Sequence, residues 1–135
     1  MADRTFAMAE PLTVLVIDDE SHVRLFLRTL LEAAGAGKVW EADSGPRGVA
    51  LYAQHKPAVV LLDLNMAGQT GVETLGKIVG SDPDAIVIVV TSQNDRETVH
   101  TCQQRGAAGF LLKSLPKEEL LVALQKILNE AGDND

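Results

Sequence analysis

Cysteine occurs once in this chain, at Cys102, so no disulfide framework and no thiolate metal cluster can form within it. Histidine is nearly as scarce. The three, His22, His55 and His100, are scattered without ligand spacing, which argues against a zinc site. No block of basic residues exists, and 19 acids against 12 bases give a formal charge of −7. A nucleic-acid-binding module would carry a basic stripe, so none is expected here. The apolar runs are too short to span a bilayer, and no charged-then-apolar segment opens the chain. The expectation is a soluble, cytoplasmic protein without a membrane partner. Repeats and low-complexity segments are absent. At 135 residues, 46% of them hydrophobic, the chain suits one domain with a core of normal size.

What is present is organised around Val59-Val60-Leu61-Leu62-Asp63. Four large apolar residues without alternation suit a strand buried on both faces, as in the middle of a parallel sheet. Asp63 then stands at the carboxyl end of that strand, where open α/β sheets bind ligands. A second reading makes Asp63 only a cap for the next helix.

The rest of the chain alternates. Residues 1–11 read as a flexible leader ending in Pro11. Leu12 to Ile17 reads as a strand, followed by Asp18-Asp19-Glu20. A helix with Ser21 as N-cap carries Val23, Phe26, Leu27, Leu30, Leu31 and Ala34 at helical spacing, with Arg24, Arg28 and Glu32 on the wet side. Val39 to Ala42 reads as an edge strand. Ser44 caps a helix with Pro46 in its first turn and Gly48, Val49 and Tyr52 inward. After Asp63, a loop containing Gly68 leads to a stripe of Val72, Leu75, Gly76 and Val79. Ala85 to Val90 is a further buried strand, stopping at Thr91-Ser92. Asn94 or Asp95 caps a weak helix with Val99 and Cys102 inward. Phe110 to Leu112 is a short strand ending at Lys113. Pro116 opens a last helix with Leu120, Leu121, Leu124, Ile127 and Leu128 on its apolar face, and residues 132–135 form a frayed acidic tail.

Five strands alternating with five helices predict an α/β fold with right-handed crossovers. The favoured solution is a doubly wound five-stranded parallel sheet in the order 2-1-3-4-5, the flavodoxin-like (βα)5 arrangement, over residues 12–131. That order brings the strand ends to one edge: Asp18 and Asp19 from strand one, Asp63 from strand three, Thr91 and Ser92 from strand four, and Lys113 from strand five. The three Asp are expected to converge at the switch point between strands one and three.

Three carboxylates that close repel one another at neutral pH. A hard cation offsets this, and Mg²⁺ suits a site of few carboxylates plus water and phosphate. Carboxylates, Mg²⁺, a lysine and a threonine are the parts of a phosphoryl-transfer site, in which an Asp can itself be the nucleophile. Singly the signals have bland readings: Asp18-Asp19 as anions at a helix N-terminus, Lys113 as a surface lysine, Thr91 as a strand-end cap. Their conjunction on four strand ends carries the argument.

Four segments, Val14 to Glu20, Val59 to Gly68, Val87 to Ser92 and Gly106 to Lys113, resemble the response-regulator receiver domain of the chemotaxis CheY type. The resemblance covers residue 12 to about residue 130. It implies a phosphoacceptor at Asp63. It implies Mg²⁺ held by Asp19, Asp63 and the backbone carbonyl of Asn65, with Asp18 acting through water. Lys113 would contact the phosphoryl group, Thr91 would move toward it, and Phe110 would be the switch aromatic. A sensor histidine kinase or histidine phosphotransfer protein would be the donor. The output would be a separate downstream protein reached through helix four, strand five and helix five. The protein would be a monomer or weak homodimer that catalyses only its own phosphotransfer and dephosphorylation. No appended output domain is expected. Two positions depart from the family pattern, Ala67 and Ser114, where prolines are usual. Without proline a cis bond after Lys113 costs roughly 3–4 kcal/mol, so a trans bond is expected.

Two rival readings face the same residues. An aspartyl-phosphate phosphatase would typically need a second Asp two residues after the nucleophile, where Asn65 stands. A receiver-like binding module that is not phosphorylated would have no need of Asp19, Asp63, Thr91 and Lys113 together. Dinucleotide binding is excluded because no Gly-x-Gly-x-x-Gly follows strand one.

Overall fold

The computed structural model describes residues 11–66, 70–92 and 96–132. The chain order is β1 (Val14–Ile17), α1 (Ser21–Ala33), β2 (Val39–Ala42), α2 (Gly45–His55), β3 (Val59–Asp63), α3 (Gly71–Ser81), β4 (Val87–Thr91), α4 (Arg96–Gln104), β5 (Gly109–Leu112) and α5 (Lys117–Gly132). The strands form one sheet in the order β2-β1-β3-β4-β5, every pair parallel. The expected fold class and strand order are therefore the observed ones.

Alternation along each strand divides the core in two. Val14, Val16, Val59, Leu61, Ile88 and Val90 face Leu27, Leu30 and Leu31 of α1 and Leu120, Leu124 and Leu128 of α5. Leu15, Ile17, Val60, Leu62, Val87 and Val89 face Tyr52, Leu75, Ile78 and Cys102 of α2, α3 and α4. This is why the three central strands read as unbroken apolar runs: both faces are covered.

Several local expectations change. The N-cap position of α1 is Glu20, not Ser21, and no side chain caps it. The Asp18 carboxylate, which could have capped, instead accepts the Glu20 N–H at 2.9 Å. Phe26 is 40% exposed, because α1 turns its Leu27, Leu30 and Leu31 face to the sheet and leaves Phe26 at the margin. Arg24 and Arg28 are not on the wet side; both are half-buried against β2. In α3 the buried positions are Gly71, Thr74, Leu75 and Ile78, while Val72, Gly76 and Val79 are half-buried. The stripe rotated because Gly71 lies so close to the end of β3 that only hydrogen fits: a Cβ there would stand 2.5 Å from Leu64 Cα and 2.6 Å from the Asp63 carbonyl oxygen.

Other expectations stand. Ser44 accepts the Arg47 N–H at 3.3 Å and Pro46 occupies the first turn of α2. The Pro116 carbonyl accepts the first bonds of α5, from Glu119 and Leu120. The Lys113–Ser114 bond is trans, as are all peptide bonds among the described residues. The leader 1–10, Ala67, Gly68, Gln93, Asn94, Asp95 and the tail beyond Gly132 lie outside the described residues, so the capping of α4 and the loop departure at Ala67 do too.

Candidate functional site

At the carboxyl edge of the sheet, two carboxylates are buried and share one cation. Asp18 and Asp63 are each 1% exposed. Lys113 Nζ lies 3.1 Å from Asp18 Oδ2 and 3.1 Å from Asp63 Oδ1. The strands impose this. Ile17 pairs with Leu62, so β1 and β3 end level, and Asp18 emerges beside Asp63. Lys113 follows Leu112, which pairs with Thr91 at the end of β4, and its N–H donates to the Thr91 carbonyl at 2.8 Å. Its long side chain then reaches back across β4 to both acids.

Each oxygen can be accounted for. Asp18 Oδ1 accepts the Glu20 N–H; Asp18 Oδ2 forms the ion pair with Lys113 but lacks hydrogen-bond alignment. Asp63 Oδ1 accepts the Asn65 N–H at 3.1 Å and faces Lys113. Asp63 Oδ2 is buried with no hydrogen-bond partner. A buried oxygen without a partner is costly, and such positions are where a ligand completes the bonding.

Burial raises the Asp63 carboxyl above the ordinary range; the Asn65 N–H and Lys113 oppose this, and the neighbouring Asp18 charge adds to it. For Lys113, burial works against the ammonium, but the pairing with Asp18 and Asp63 outweighs it and raises the group. The site thus holds one carboxylate under electrostatic stress beside a firmly charged lysine.

Asp19 does not join Asp18 and Asp63 in the buried centre. Asp18 directly follows β1 and is buried, whereas Asp19 lies in the bend beyond it and is exposed. The carboxylates of Asp18, Asp19 and Glu20 can place one oxygen each within 4.8 Å of one another, and Asp63 is outside that group. The expected convergence of three Asp is therefore a buried pair with an outer acidic rim. Glu20 was not singled out as a cation-facing residue by sequence, although its place directly after the Asp pair was the available signal. Thr91 is buried at the end of β4. Asn65 is exposed beside Asp63, and Phe110 is half-buried against the core on the side of α2, α3 and α4.

A second charged group braces this edge. Arg24 donates from Nη1 to the Asp18 carbonyl at 2.7 Å and from Nε to Glu41 at 3.0 Å. Arg28 donates from Nε to the other oxygen of Glu41 at 2.7 Å and from Nη2 to the Val39 carbonyl at 2.9 Å. Burial would raise the Glu41 carboxyl, but the bonds from Arg28 and Arg24 prevail and hold it below the ordinary range.

A doubly wound parallel sheet with two buried Asp and a Lys at its switch point defines a class of acid-pocket α/β domain. The particular family follows from comparison. Residues 14–125 match the family described as the response regulator receiver domain, and the chain belongs to it. It is similar to the nitrate/nitrite response regulator protein NarL of Escherichia coli (strain K12), with 39% identity over 118 residues covering 87% of this chain and 55% of that protein. It is similar to the chemotaxis protein CheY of Listeria monocytogenes, with 30% identity over 85% of this chain and 97% of that one. The chain thus spans about half the length of the nitrate/nitrite regulator and nearly all of the chemotaxis protein. Among solved structures, chemotaxis protein CheY4 of Vibrio cholerae superposes with a TM-score of 0.80 at 26% identity, over 87% of this chain and 99% of that one. A two-component response regulator of the LuxR family from Aurantimonas gives 0.82 at 28% identity, over 90% and 87%. The chain is a receiver domain of two-component signalling. Among the described residues no helix is long and apolar enough to cross a membrane.

Proposed function

We propose that Asp63 is the phosphoacceptor of a signalling switch spanning residues 12–131. The observation that carries the reading is Asp63 Oδ2, buried and without a hydrogen-bond partner, at the end of a central strand and beside Lys113. An oxygen in that state is a nucleophile held free of competing donors. It attacks the phosphorus of a phosphohistidine on a sensor kinase or phosphotransfer protein. The P–N bond breaks, its electron pair returns to the imidazole nitrogen, and a P–O bond to Asp63 leaves an acyl phosphate.

Lys113 faces the phosphoryl oxygens and offsets their charge. Thr91 supplies a hydroxyl that follows the phosphoryl group. Phe110, two residues along the strand from Leu112, carries that displacement toward α4, β5 and α5, where a separate protein reads it. The donor set fits Mg²⁺: hard carboxylate oxygens, of which the buried Asp18 Oδ2 also lacks a hydrogen-bond partner, rimmed by further acids. Asp19, Asp63 and the Asn65 carbonyl would hold the ion, with Asp18 acting through water, and it would supply Lewis-acid stabilisation of charge on the transferring phosphoryl group.

Intact mass after incubation with MgCl₂ and acetyl phosphate tests the reading. A single phosphoryl adduct is expected on the native chain and none on Asp63→Asn. An adduct of similar yield on that variant would move the acceptor elsewhere, and no adduct on either would leave a receiver-like binding module.

A further inference from the structure

Glu41 is a charged side chain on the α1 side of an edge strand. It is in register with Val16, and its neighbour two residues back, Val39, lies in the core beneath α1. Inward charges on edge strands serve to discourage pairing with other chains, which would be reason enough for its presence. That role does not require the partner geometry seen here. Of the two guanidinium groups that clasp Glu41, only Arg24 also grips the acidic loop, through the Asp18 carbonyl at 2.7 Å. Arg28 instead grips β2 itself, through the Val39 carbonyl.

The difference has a consequence for Asp19. The Asp18 carbonyl and the Asp19 N–H belong to one rigid peptide plane. Fixing the carbonyl fixes the direction in which Asp19 leaves the strand. The same loop is held on its other side by the Asp18 N–H, which donates to the Ala42 carbonyl at 3.1 Å. A guanidinium suits the task because one planar group can serve a carboxylate and a carbonyl at once, which an ammonium on a flexible stem does poorly. Arg24 is anchored for it: its side chain is 16% exposed and Glu41 orients its Nε.

We propose that Arg24 is a positioning residue for the cation site: it sets the orientation of Asp19 through the Asp18 carbonyl, Glu41 holds Arg24 in place, and Arg28 serves only the scaffold. The proposal rests on the reading of the acidic edge as a Mg²⁺ site.

Calorimetric titration with MgCl₂ alone, without any phosphodonor, tests it. Arg24→Lys keeps the charge and loses the fork, and should weaken Mg²⁺ binding by about tenfold, the low end for removal of an outer partner of a metal ligand. Arg28→Lys breaks an equivalent pair with Glu41 and should leave the affinity near the native value. Equal effects of the two variants, or no effect of Arg24→Lys, would overturn the proposal. Should Arg24→Lys fail to fold, Glu41→Gln decides: it retains Arg24 but releases its anchor, and must also lower the affinity. Asp19→Ala separates the two levels of the argument. If the native protein fails to bind Mg²⁺, or Asp19→Ala binds as well as native, the site reading itself falls; if Asp19→Ala weakens binding and Arg24→Lys does not, only the role of Arg24 falls.

Discussion

The Lys113 ammonium lies 3.1 Å from Asp63 although their strands, β5 and β3, are separated by the whole of β4. The lysine spans that gap because β4 ends at Thr91, a residue small enough to be passed over, and because the Thr91 carbonyl fixes the start of its reach. The pair therefore reports on the alignment of three strand ends at once.

Replacing Lys113 by Met should destabilise the protein by about 2 kcal/mol near pH 7. That is below the 3–5 kcal/mol of a fully buried broken pair, since the lysine side chain is 20% exposed. The loss should shrink as pH falls and Asp63, whose carboxyl burial raises, protonates, and adding MgCl₂ should recover part of it. Urea denaturation at pH 7 and pH 4, with and without the salt, measures both effects.

Asp63→Asn should stabilise the protein at neutral pH. Burial raises the folded-state pKa of Asp63, so the folded state favours the protonated acid. Such a group contributes stability below its unfolded pKa, near 4, and that contribution is lost as pH rises through the folded value. The neutral amide avoids the loss, by about 1 kcal/mol as judged from replacements of buried ionic groups. The gain should vanish in acid. A Tm difference that grows toward low pH would contradict the sign.

Gly71→Ala should cost about 1–3 kcal/mol and slow phosphorylation of Asp63, because the new methyl meets the backbone of Leu64 and Asp63 and must push α3 away. Gly48→Ala meets the buried Ile17 side chain rather than backbone, with Cγ1 at 2.8 Å from the new Cβ, and should also destabilise the fold but affect phosphorylation of Asp63 less. Thermal melts of the two variants, with phosphorylation rates from acetyl phosphate, compare them. A larger loss of phosphorylation rate in Gly48→Ala would place the tighter constraint on α2.

Cys102 should report movement of α4. Its thiol is fully buried, and burial pushes its pKa up despite nearby Arg105, so it should label slowly in the unphosphorylated protein. Labelling should quicken when MgCl₂ and acetyl phosphate are added. A rate that does not change would put the moving surface elsewhere.

Much of this molecule was legible in the sequence. Unbroken apolar runs at Val59–Asp63 and before Thr91 identify strands covered on both faces, and βα alternation with right-handed crossovers leaves few sheet orders. Once the order is known, Asp18, Asp63, Thr91 and Lys113 must share an edge, because each ends a parallel strand. Periodicity also found Leu27, Leu30 and Leu31 in α1 and Leu120, Leu124 and Leu128 in α5.

What tertiary structure decided are contacts between elements, which depend on rotation and approach rather than on pattern. Arg24 and Arg28 lie off the leucine stripe of α1 and read as solvent-facing. Only the packing of α1 beside the edge strand, with Glu41 turned to the same side as Val39, makes them partners of a buried-side carboxylate. The α3 stripe rotated to Thr74 and Ile78 because a glycine at position 71 lets the helix approach the end of β3, a distance that no periodicity encodes. The division of the acids into a buried pair and an outer rim has the same origin. Sequence brought Asp18, Asp19 and Asp63 to one edge, but the bend of the chain after β1 and the reach of the Lys113 side chain determined which two share its charge.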